Sequence, residues 1–238
     1  MKEVFLLVSD NGAGLFLQDK IEDGMYVPLD GGDCAADAAE LIKDQLEFNF
    51  KGKKLVLVAN YKKTLIRVAD KHEFSHKSGF FRKKITNSDA WEVIKSVFPI
   101  GPSINEDTHL FDISLFGNRK FVCFGIPVDL CEKLAQIGEE LTGSIHRVSR
   151  LESIENLMFM KHNSESKIVV FPQDDGFRVL TVQDGLPENA FYISNHPDRR
   201  MAEFERILTS LGKRKKICAL SFITNEANDD LEWISKYK

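Results

Sequence analysis

The sequence has no long hydrophobic run, since no stretch approaches the roughly 18–20 apolar residues that cross a bilayer. Its first residues also lack the basic segment, apolar stretch and small-residue cleavage site of a secretion signal. With 32 Lys and Arg against 36 Asp and Glu, the net charge of −4 gives no general attraction to nucleic acid or to anionic membrane. No interleaving of aromatic and basic residues suggests RNA binding. These absences predict a cytoplasmic protein that does not bind nucleic acid.

Cysteine is also scarce. The chain has four, without a CxxC pair: Cys34, Cys123, Cys131 and Cys218. Scattered cysteines of this kind are most often reduced and buried, and we expect that here. The sequence likewise contains no GxSxG motif, no P-loop and no Cys–His arrangement. It therefore offers no recognisable catalytic nucleophile.

One short motif matches a metal site: His72-Glu73-Phe74-Ser75-His76 has the letters HExxH. Zinc hydrolases need this motif in the middle of a helix, so that both imidazoles point one way and the Glu activates the metal-bound water. Here a predicted strand ends at Ala69, Gly79 follows soon after, and polar residues flank the motif. We interpret it as a polar loop with two histidines and expect no metal site.

What is present is an ordinary globular composition in 238 residues, 43% hydrophobic and 29% charged. This is enough chain for one large domain or two small ones. The most informative stretch opens the chain: an apolar strand, Val4–Val8, a turn at Asp10–Gly14, and a second strand, Leu15–Gln18. Asn-Gly between two apolar runs is the strongest short hairpin signal.

The order of predicted elements that follows this hairpin occurs twice. In the first copy, strand Met25–Leu29 leads into a helix, Cys34–Leu46, which Asp33 can cap, and then into a buried strand, Lys54–Ala59. The second copy opens at Lys167 with another hairpin that carries Asp and Gly. Its predicted elements are strand Ile168–Pro172, turn Gln173–Gly176, strands Phe177–Val182 and Ala190–Ser194, helix Arg199–Leu211, strand Ile217–Ile223 and helix Asp229–Tyr237.

An insert and a connector separate the two copies. Tyr61–Gly125 fits the repeated pattern poorly, and we interpret it as an inserted α+β subdomain. The connector is predicted as helix Pro127–Thr142, strand Ser144–Val148 and helix Leu151–Met160. The fold prediction is therefore α/β, and the repeated order resembles two ribonuclease H-like halves in an actin-like arrangement. The first half would span residues 1–165, with the insert at 61–125, and the second, shortened half would span 166–238.

The turn Asp10-Asn11-Gly12-Ala13-Gly14 resembles the first phosphate loop of actin, heat-shock chaperones and sugar kinases, whose backbone N–H groups wrap nucleotide phosphates. With the duplication and the place of the insert after the fourth strand, the chain is similar to the actin-like cytoplasmic proteins of bacterial pilus and secretion machines. These are the PilM type of type IV pili, the L component of type II secretion (GspL) and the BfpC component of bundle-forming pili. Phe98-Pro99, before the hairpin of the insert, also resembles that group.

The resemblance implies a non-enzymatic scaffold at the cytoplasmic face of the inner membrane. Such proteins link the hexameric assembly ATPase, through the N-terminal domain of that enzyme, to an inner-membrane platform protein. Related components carry a membrane helix beyond such a domain. If this chain is of that kind, it is the cytoplasmic part of a longer protein.

Nucleotide binding is the alternative, as in an ATP-binding actin-like ATPase or a sugar-kinase relative. In its favour, two facing hairpins with small residues allow close approach of phosphates, and their carboxylates can hold Mg²⁺ through water. Against it, the Gly-rich adenosine-binding loop is missing and no Gly-Gly lies beyond residue 32. Structural turns favour Asp and Gly in any case. We therefore expect no cofactor. If ATP and Mg²⁺ do bind, the candidate contacts are Asp10, Asn11, Gly12, Ala13, Gly14, Asp174, Asp175 and Gly176.

Two basic runs are left: Arg82-Lys83-Lys84 and Lys213-Arg214-Lys215-Lys216. A short run between a helix and a buried strand is usually a solvated linker. The functional alternative is contact with anionic lipid headgroups or an acidic partner helix, at about 1 kcal/mol per Lys or Arg near such a surface.

Overall fold

The computed structural model describes residues 3–9, 12–16, 25–29, 34–71, 87–117, 119–161, 166–173, 176–211, 216–219 and 233–237. Its strands are β1 (Glu3–Val8), β2 (Gly12–Phe16), β3 (Met25–Pro28), β4 (Lys54–Ala59), β5 (Leu65–Asp70), β6 (His109–Phe116), β7 (Lys120–Pro127), β8 (Val148–Ser153), β9 (Lys167–Gln173), β10 (Gly176–Gln183), β11 (Leu186–Ser194) and β12 (Lys216–Ala219). Its α-helices are α1 (Ala35–Leu46), α2 (Asn87–Val97), α3 (Val128–Thr142), α4 (Ile154–Lys161) and α5 (Pro197–Ser210), and 3₁₀ turns cover Ile145–Arg147 and Trp233–Tyr237. Within the described ranges, no helix has the length and apolar character needed to pass through a bilayer.

Two sheets share one strand order. The first has the order β3-β2-β1-β4-β8 and the second β11-β10-β9-β12. In both, three strands pair as an antiparallel meander and the fourth pairs parallel with the first. The second sheet therefore repeats the 3-2-1-4 order of a ribonuclease H-like unit. The predicted duplication is confirmed.

The hairpins that open the two halves also share their register. In the first, the Ser9 N–H donates to the Gly12 carbonyl at 2.8 Å across a gap of two residues. In the second, Gln173 pairs with Gly176 across a gap of the same length. Ser9 is therefore equivalent to Gln173, and Gly12 to Gly176. The residues that fill the two gaps lie outside the described ranges: Asp10, Asn11, Asp174 and Asp175.

Strand β2 begins earlier than the sequence predicts. The predicted turn extends to Gly14, but Gly12, Ala13 and Gly14 are strand residues that pair with β1 on one side and β3 on the other. A two-residue loop is enough to reverse an antiparallel hairpin, so the small residues after it can join the ladder. The last three residues of the predicted turn therefore belong to the paired strands.

The predicted strand Ser144–Val148 is wrong. Helix α3 ends at Thr142, and its C-cap is Gly143, whose φ of 76° lies in the left-handed region that favours glycine. The chain then makes the 3₁₀ turn before β8 begins at Val148. Strand β8 pairs parallel with β4 and completes the first sheet as its fifth strand.

Helix α4 begins at Ile154, three residues after the predicted start at Leu151. The Ser153 Oγ accepts a hydrogen bond from the Asn156 N–H at 3.1 Å, which caps the first turn of the helix. Leu151 is instead a strand residue that pairs with β4. The capping serine therefore separates strand from helix.

The segment between β4 and α3 forms a third sheet, with the antiparallel order β5-β7-β6. Helix α2 packs against this sheet, so the insert is an α+β unit as predicted. Its core is apolar and separate: Ala69, Val93, Ile94, Phe98, Phe121 and Cys123.

A central apolar layer joins both main sheets, the insert and α4. The first sheet contributes Phe5 and Leu7 of β1, and α4 contributes Ile154 and Phe159. The other buried members are Phe16, Val56, Val58, Ile66, Phe116, Val122, Leu157, Met158, Val169, Phe171, Leu180 and Val182. The two halves therefore share one continuous core with the insert.

The expectation that the cysteines are buried is wrong for Cys34. Cys123 is buried and Cys131 is half-buried, but Cys34 is exposed. Cys34 is the N-cap of α1, and its Sγ accepts a hydrogen bond from the Asp37 N–H at 3.5 Å. The predicted cap, Asp33, precedes it and lies outside the described residues.

Other predictions also fall outside the described ranges. These are the HExxH motif His72–His76, the basic residues 82–84 and 213–215, residues 220–223 of the last predicted strand and residues 229–232 of the last predicted helix. The described end of that predicted helix, Trp233–Tyr237, is a 3₁₀ turn. The interpretations given above for these segments stay predictions.

Candidate functional site

An aromatic ring lies against Gly12 of the first predicted phosphate loop. A Cβ built on Gly12 would lie 1.6 Å from the Tyr26 Oη and 2.0 Å from its Cζ. Tyr26 belongs to β3, its hydroxyl hydrogen-bonds with the Ser9 side chain, and burial raises its pKa to about 12. The Ser9 Oγ in turn donates to the Gly12 carbonyl at 3.1 Å. Position 12 therefore needs glycine because a tyrosine fills the space of any side chain there.

The second predicted loop repeats this arrangement. A Cβ built on Gly176 would lie 2.5 Å from the Tyr192 hydroxyl oxygen and 2.3 Å from the Ile193 carbonyl oxygen. In both hairpins the tyrosine lies two residues before the strand partner of the glycine. A glycine–tyrosine contact thus occurs in each half at equivalent positions.

The Tyr192 ring also contacts two cations. The Lys62 Nζ lies 4.9 Å from the ring centroid and the Arg178 Cζ lies 5.8 Å from it. Cations at this distance are attracted to the ring face. Because Lys62 follows β4 of the first half, this contact joins the first half to the second hairpin.

The two hairpins differ at Arg178, where the first hairpin has a small residue. Arg178 is equivalent to Gly14, because each is the second residue after its loop glycine in the same register. The Arg178 side chain is buried, with 6% of its surface exposed, and its Nε lies 2.9 Å from the Glu155 Oε1 on α4. The Gln173 Nε2 donates to the same carboxylate oxygen at 3.2 Å. The second hairpin is therefore bound to α4 by a buried ion pair.

The segment 60–64, directly after β4, connects the two hairpins. The Asn60 N–H donates to the Val8 carbonyl at 2.9 Å, at the end of β1 that leads into the first loop. From the other side, the Arg178 Nη2 donates to the Thr64 carbonyl at 3.3 Å. The structure therefore brings both hairpins against one short segment.

Several polar atoms around this ion pair have no hydrogen-bond partner among the described residues. They are both amide atoms of Asn60, Thr64 Oγ1, Glu155 Oε2, Asn156 Oδ1 and Gln173 Oε1. The Arg178 Nε also lacks hydrogen-bond geometry, so its contact with the Glu155 Oε1 is one of charge. A buried polar atom without a partner costs about 1–3 kcal/mol, so such atoms usually mark an ordered water or a bound polar group. The junction between the hairpins is therefore polar, in contrast to the apolar layer beside it.

The two buried charges at the junction neutralise each other. The Glu155 carboxylate balances the Arg178 guanidinium, so a phosphate would have to compete with a buried carboxylate for this cation. Glu152, at the end of β8, accepts a hydrogen bond from the Asn156 Nδ2 at 2.8 Å, and burial raises its pKa. Within the described ranges, no three His, Cys, Asp or Glu side chains gather to hold a metal ion.

Sequence reasoning missed the residues that make these contacts. Arg178 interrupts the otherwise apolar strand FRVLTV, and a charged residue in such a strand indicates a buried partner. That signal identifies Arg178 but not Glu155, because the pairing depends on how α4 lies against β10. The two tyrosines carry no signal until the strand register is known.

No protein-family model matches the sequence, and no curated protein matches it either. Among solved structures, the chain is similar to a protein of unknown function with an actin-like ATPase fold from Bacteroides thetaiotaomicron. The TM-score is 0.58 at 10% identity, and the match covers 99% of this chain and 88% of that chain.

Two further structures come from secretion and pilus systems. One is the cytoplasmic domain of EpsL, an inner-membrane component of the type II secretion system of Vibrio cholerae, with a TM-score of 0.54, 9% identity, and coverage of 94% of this chain and 84% of that chain. The other is the PilM–PilN type IV pilus biogenesis complex, with a TM-score of 0.54, 10% identity, and coverage of 90% of this chain and 66% of that chain. These likenesses confirm the predicted actin-like fold. The candidate phosphate contacts stay predictions.

Proposed function

We propose that this chain is a non-enzymatic scaffold of the inner-membrane platform in a bacterial type IV pilus or type II secretion system. The observation that carries the proposal is its likeness, over 94% and 90% of its length, to the cytoplasmic domain of EpsL and to the PilM–PilN complex. In this role it links the N-terminal domain of a hexameric assembly ATPase to an inner-membrane platform protein. Its place is then the cytoplasmic face of the inner membrane.

The geometry of the hairpins supports a role without nucleotide turnover. A phosphate cradle needs open space at its loop glycines and small residues beside them. Tyr26 covers Gly12, Tyr192 covers Gly176, and Arg178 introduces a long buried side chain into the second hairpin. These contacts account for the glycines of both loops without a ligand.

A second candidate function is ATP binding, as in an actin-like ATPase or a sugar-kinase relative. The observation that favours it is Asn60, whose buried amide has no partner among the described residues. Asn60 adjoins the end of β1 that leads into the first loop. A polar ligand at that loop would give the amide a partner.

A thermal-shift titration with Mg-ATP separates the two functions. A ligand that binds only the folded state stabilises it by RT ln(1 + [L]/Kd), about 2.7 kcal/mol at a hundredfold excess over Kd. We expect no shift at millimolar Mg-ATP. A shift that Asp10→Ala abolishes would overturn this expectation and locate the nucleotide at the first loop. Asp10→Ala is a safer variant than Gly12→Val, because a valine would meet the Tyr26 ring.

A pull-down tests the scaffold role directly. The chain is immobilised and mixed with the N-terminal domain of the assembly ATPase from the same organism, and separately with the cytoplasmic segment of the inner-membrane platform protein. We expect both to be retained, and the N-terminal domain of an ATPase from an unrelated secretion system to pass through. If neither cognate partner is retained, the scaffold proposal is wrong and the actin-like fold alone stands.

A further inference from the structure

The insert ends in an open sheet edge. Strand β6 pairs with β7 along its whole length, from His109 opposite Pro127 to Phe116 opposite Lys120, and no described strand lies on its other side. Such an edge presents a row of backbone N–H and C=O groups that another strand can pair with. Most native proteins cover or interrupt edges of this length.

The hydrogen bonds show which residues face the open side. The Ile113 N–H donates to the Asp112 Oδ1 at 2.7 Å, so it points away from β7. In an antiparallel ladder the two backbone groups of alternate residues point to the same side. Phe111 and Leu115 therefore also direct their backbone groups to the open edge. An added strand finds the backbone groups of Phe111 and Leu115 there. To pair with the Ile113 N–H as well, it must displace the Asp112 carboxylate from that donor.

A groove runs along this edge between β6 and α2. It has a volume of about 340 Å³, and its apolar lining includes Trp91 and Ile94 of α2 and Phe111 of β6. The Trp91 and Phe111 ring centroids lie 5.7 Å apart, and the His109 ring stacks on Phe111 at 5.8 Å. Leu110, on the strand itself, is 52% exposed. We call this surface the β6 groove.

The charge of the β6 groove has one sign. Glu106 and Asp112 are its charged lining residues, and no Lys or Arg among the described residues lines it. Burial lowers the pKa of His109, so its ring adds no positive charge at neutral pH. Aromatic faces beside carboxylates favour a cationic group, which can lie over a ring and pair with a carboxylate at once.

We propose that the β6 groove binds an extended basic segment of a partner protein, which adds a strand to β6 and places an Arg or Lys side chain over Trp91 and Phe111. Backbone pairing supplies affinity in this mode, and side-chain pockets supply specificity. A second copy of the chain is a poorer occupant, because it would bring its own Glu106 and Asp112 to the shared edge. The inference rests on the proposed scaffold role only for the identity of the partner.

The test uses the full chain and fluorescein-labelled seven-residue peptides, Thr-Val-Thr-X-Thr-Val-Thr, with X as Arg, Lys, Gln or Glu. Fluorescence anisotropy at low salt measures binding. We expect the Arg peptide to bind at least tenfold more tightly than the Gln peptide, and the Glu peptide to show no binding. N-methylation of alternate peptide amides should abolish binding of the Arg peptide, because it removes the donors that pair with the edge.

Two double variants identify the site. Glu106→Gln/Asp112→Asn removes the charges of the groove with little change of shape, and Glu139→Gln/Glu140→Gln removes two exposed charges of α3 as the matched control. We expect the first double variant to weaken binding of the Arg peptide about tenfold without changing binding of the Gln peptide. The second double variant should change the binding of neither peptide. The proposal would be overturned if all four peptides bound equally. It would also be overturned if the Arg peptide bound the first double variant as tightly as the parent chain.

Sedimentation of the chain alone separates the remaining outcomes. A dimer that Asp112→Asn alters, together with no peptide binding, would assign the edge to self-association and overturn the proposal. The pull-down described above tests a different claim. Peptide binding with a failed pull-down would contradict the scaffold role only, and a successful pull-down without peptide binding would contradict the groove only.

Discussion

The Arg178 Nε lies 2.9 Å from the Glu155 Oε1, and both side chains are almost fully withdrawn from solvent. The contact joins the second hairpin to the helix that connects the halves. It stands where the first hairpin has Gly14, so a charged residue replaces a small one at this equivalent position. The consequences for stability are specific, because a buried charge is costly when its partner is lost.

Removing one partner of this pair should be far worse than replacing both. Arg178→Met leaves a buried carboxylate without its cation, and we expect it to lower the free energy of unfolding by about 3–5 kcal/mol. Glu155→Leu should cost a similar amount. The double variant should recover most of the loss, because no uncompensated charge is left. Urea denaturation followed by circular dichroism measures all three. Arg199→Met, at an exposed position, is the control, and additive losses in the double variant would contradict the coupling.

The stability lost on replacing Gly12 should be recovered when Tyr26 is shortened. Gly12→Ala places a methyl group on the Tyr26 ring, and we expect a loss of about 1–3 kcal/mol from overpacking. In a Tyr26→Ala background the obstructing ring is gone, so the same change at position 12 should cost much less. Thermal unfolding of the four proteins forms a double-mutant cycle. A cost at position 12 that is unaffected by Tyr26→Ala would show that another contact requires the glycine.

The stability lost on replacing Gly176 should not be recovered when Tyr192 is shortened. A Cβ on Gly176 would meet the Ile193 carbonyl oxygen at 2.3 Å as well as the Tyr192 ring. Tyr192→Ala removes the ring but not the backbone oxygen. We therefore expect Gly176→Ala to destabilise the protein in both backgrounds, as read from the same thermal unfolding series. Full recovery of stability in the Tyr192→Ala background would contradict this, because it would mean that the backbone at Ile193 can move away from the added methyl group.

Glu152 should make stability depend on pH. Burial raises its pKa above the ordinary value of 4.5, so the folded state prefers the protonated form. The stability that this preference contributes is complete below the unfolded pKa and is lost as the pH rises through the raised folded pKa. Glu152→Gln should therefore lose less stability than the parent protein as the pH rises above 4.5. Urea titrations at several pH values measure this difference. Glu139→Gln serves as the exposed control, and parallel curves for the parent and Glu152→Gln would contradict the prediction.

The thiols of Cys34 and Cys123 should react at very different rates. Cys34 is exposed at the start of α1, whereas Cys123 is buried and its pKa is raised to about 12. Because the thiolate is the reacting form, we expect iodoacetamide to label Cys34 in the folded protein and Cys123 only after denaturation. Peptide mass spectrometry locates the label. Labelling of Cys123 at the rate of Cys34 under native conditions would contradict the burial of β7.

The fold was largely predictable because its strands carry strong local signals. Lys54–Ala59 is a nearly continuous apolar run, and its predicted bounds agree with β4. The turn at Asp184-Gly185, where both residues have positive φ, follows directly from the residue types. The connector was less predictable, because Leu151 fits an apolar helix face as well as a strand. The N-cap serine, Ser153, was the signal that separates the two.

The candidate site was less predictable than the fold, for a physical reason. Asp and Gly identify a turn but do not say what lies over it. The contact of Tyr26 with Gly12 depends on strand register, and that of Arg178 with Glu155 depends on how a helix crosses a sheet. Both are set by packing between elements distant in sequence, and no local pattern encodes them.

The apolar layer shared by the two sheets, α4 and the insert has a mechanical consequence. Any rotation of one half against the other would slide Phe5 and Phe171 along α4 and open the layer to water. Exposing about 200 Å² in this way would cost about 5 kcal/mol, which is large beside thermal energy. We therefore expect a force applied to the insert to be transmitted to the second sheet with little deformation of the layer between them.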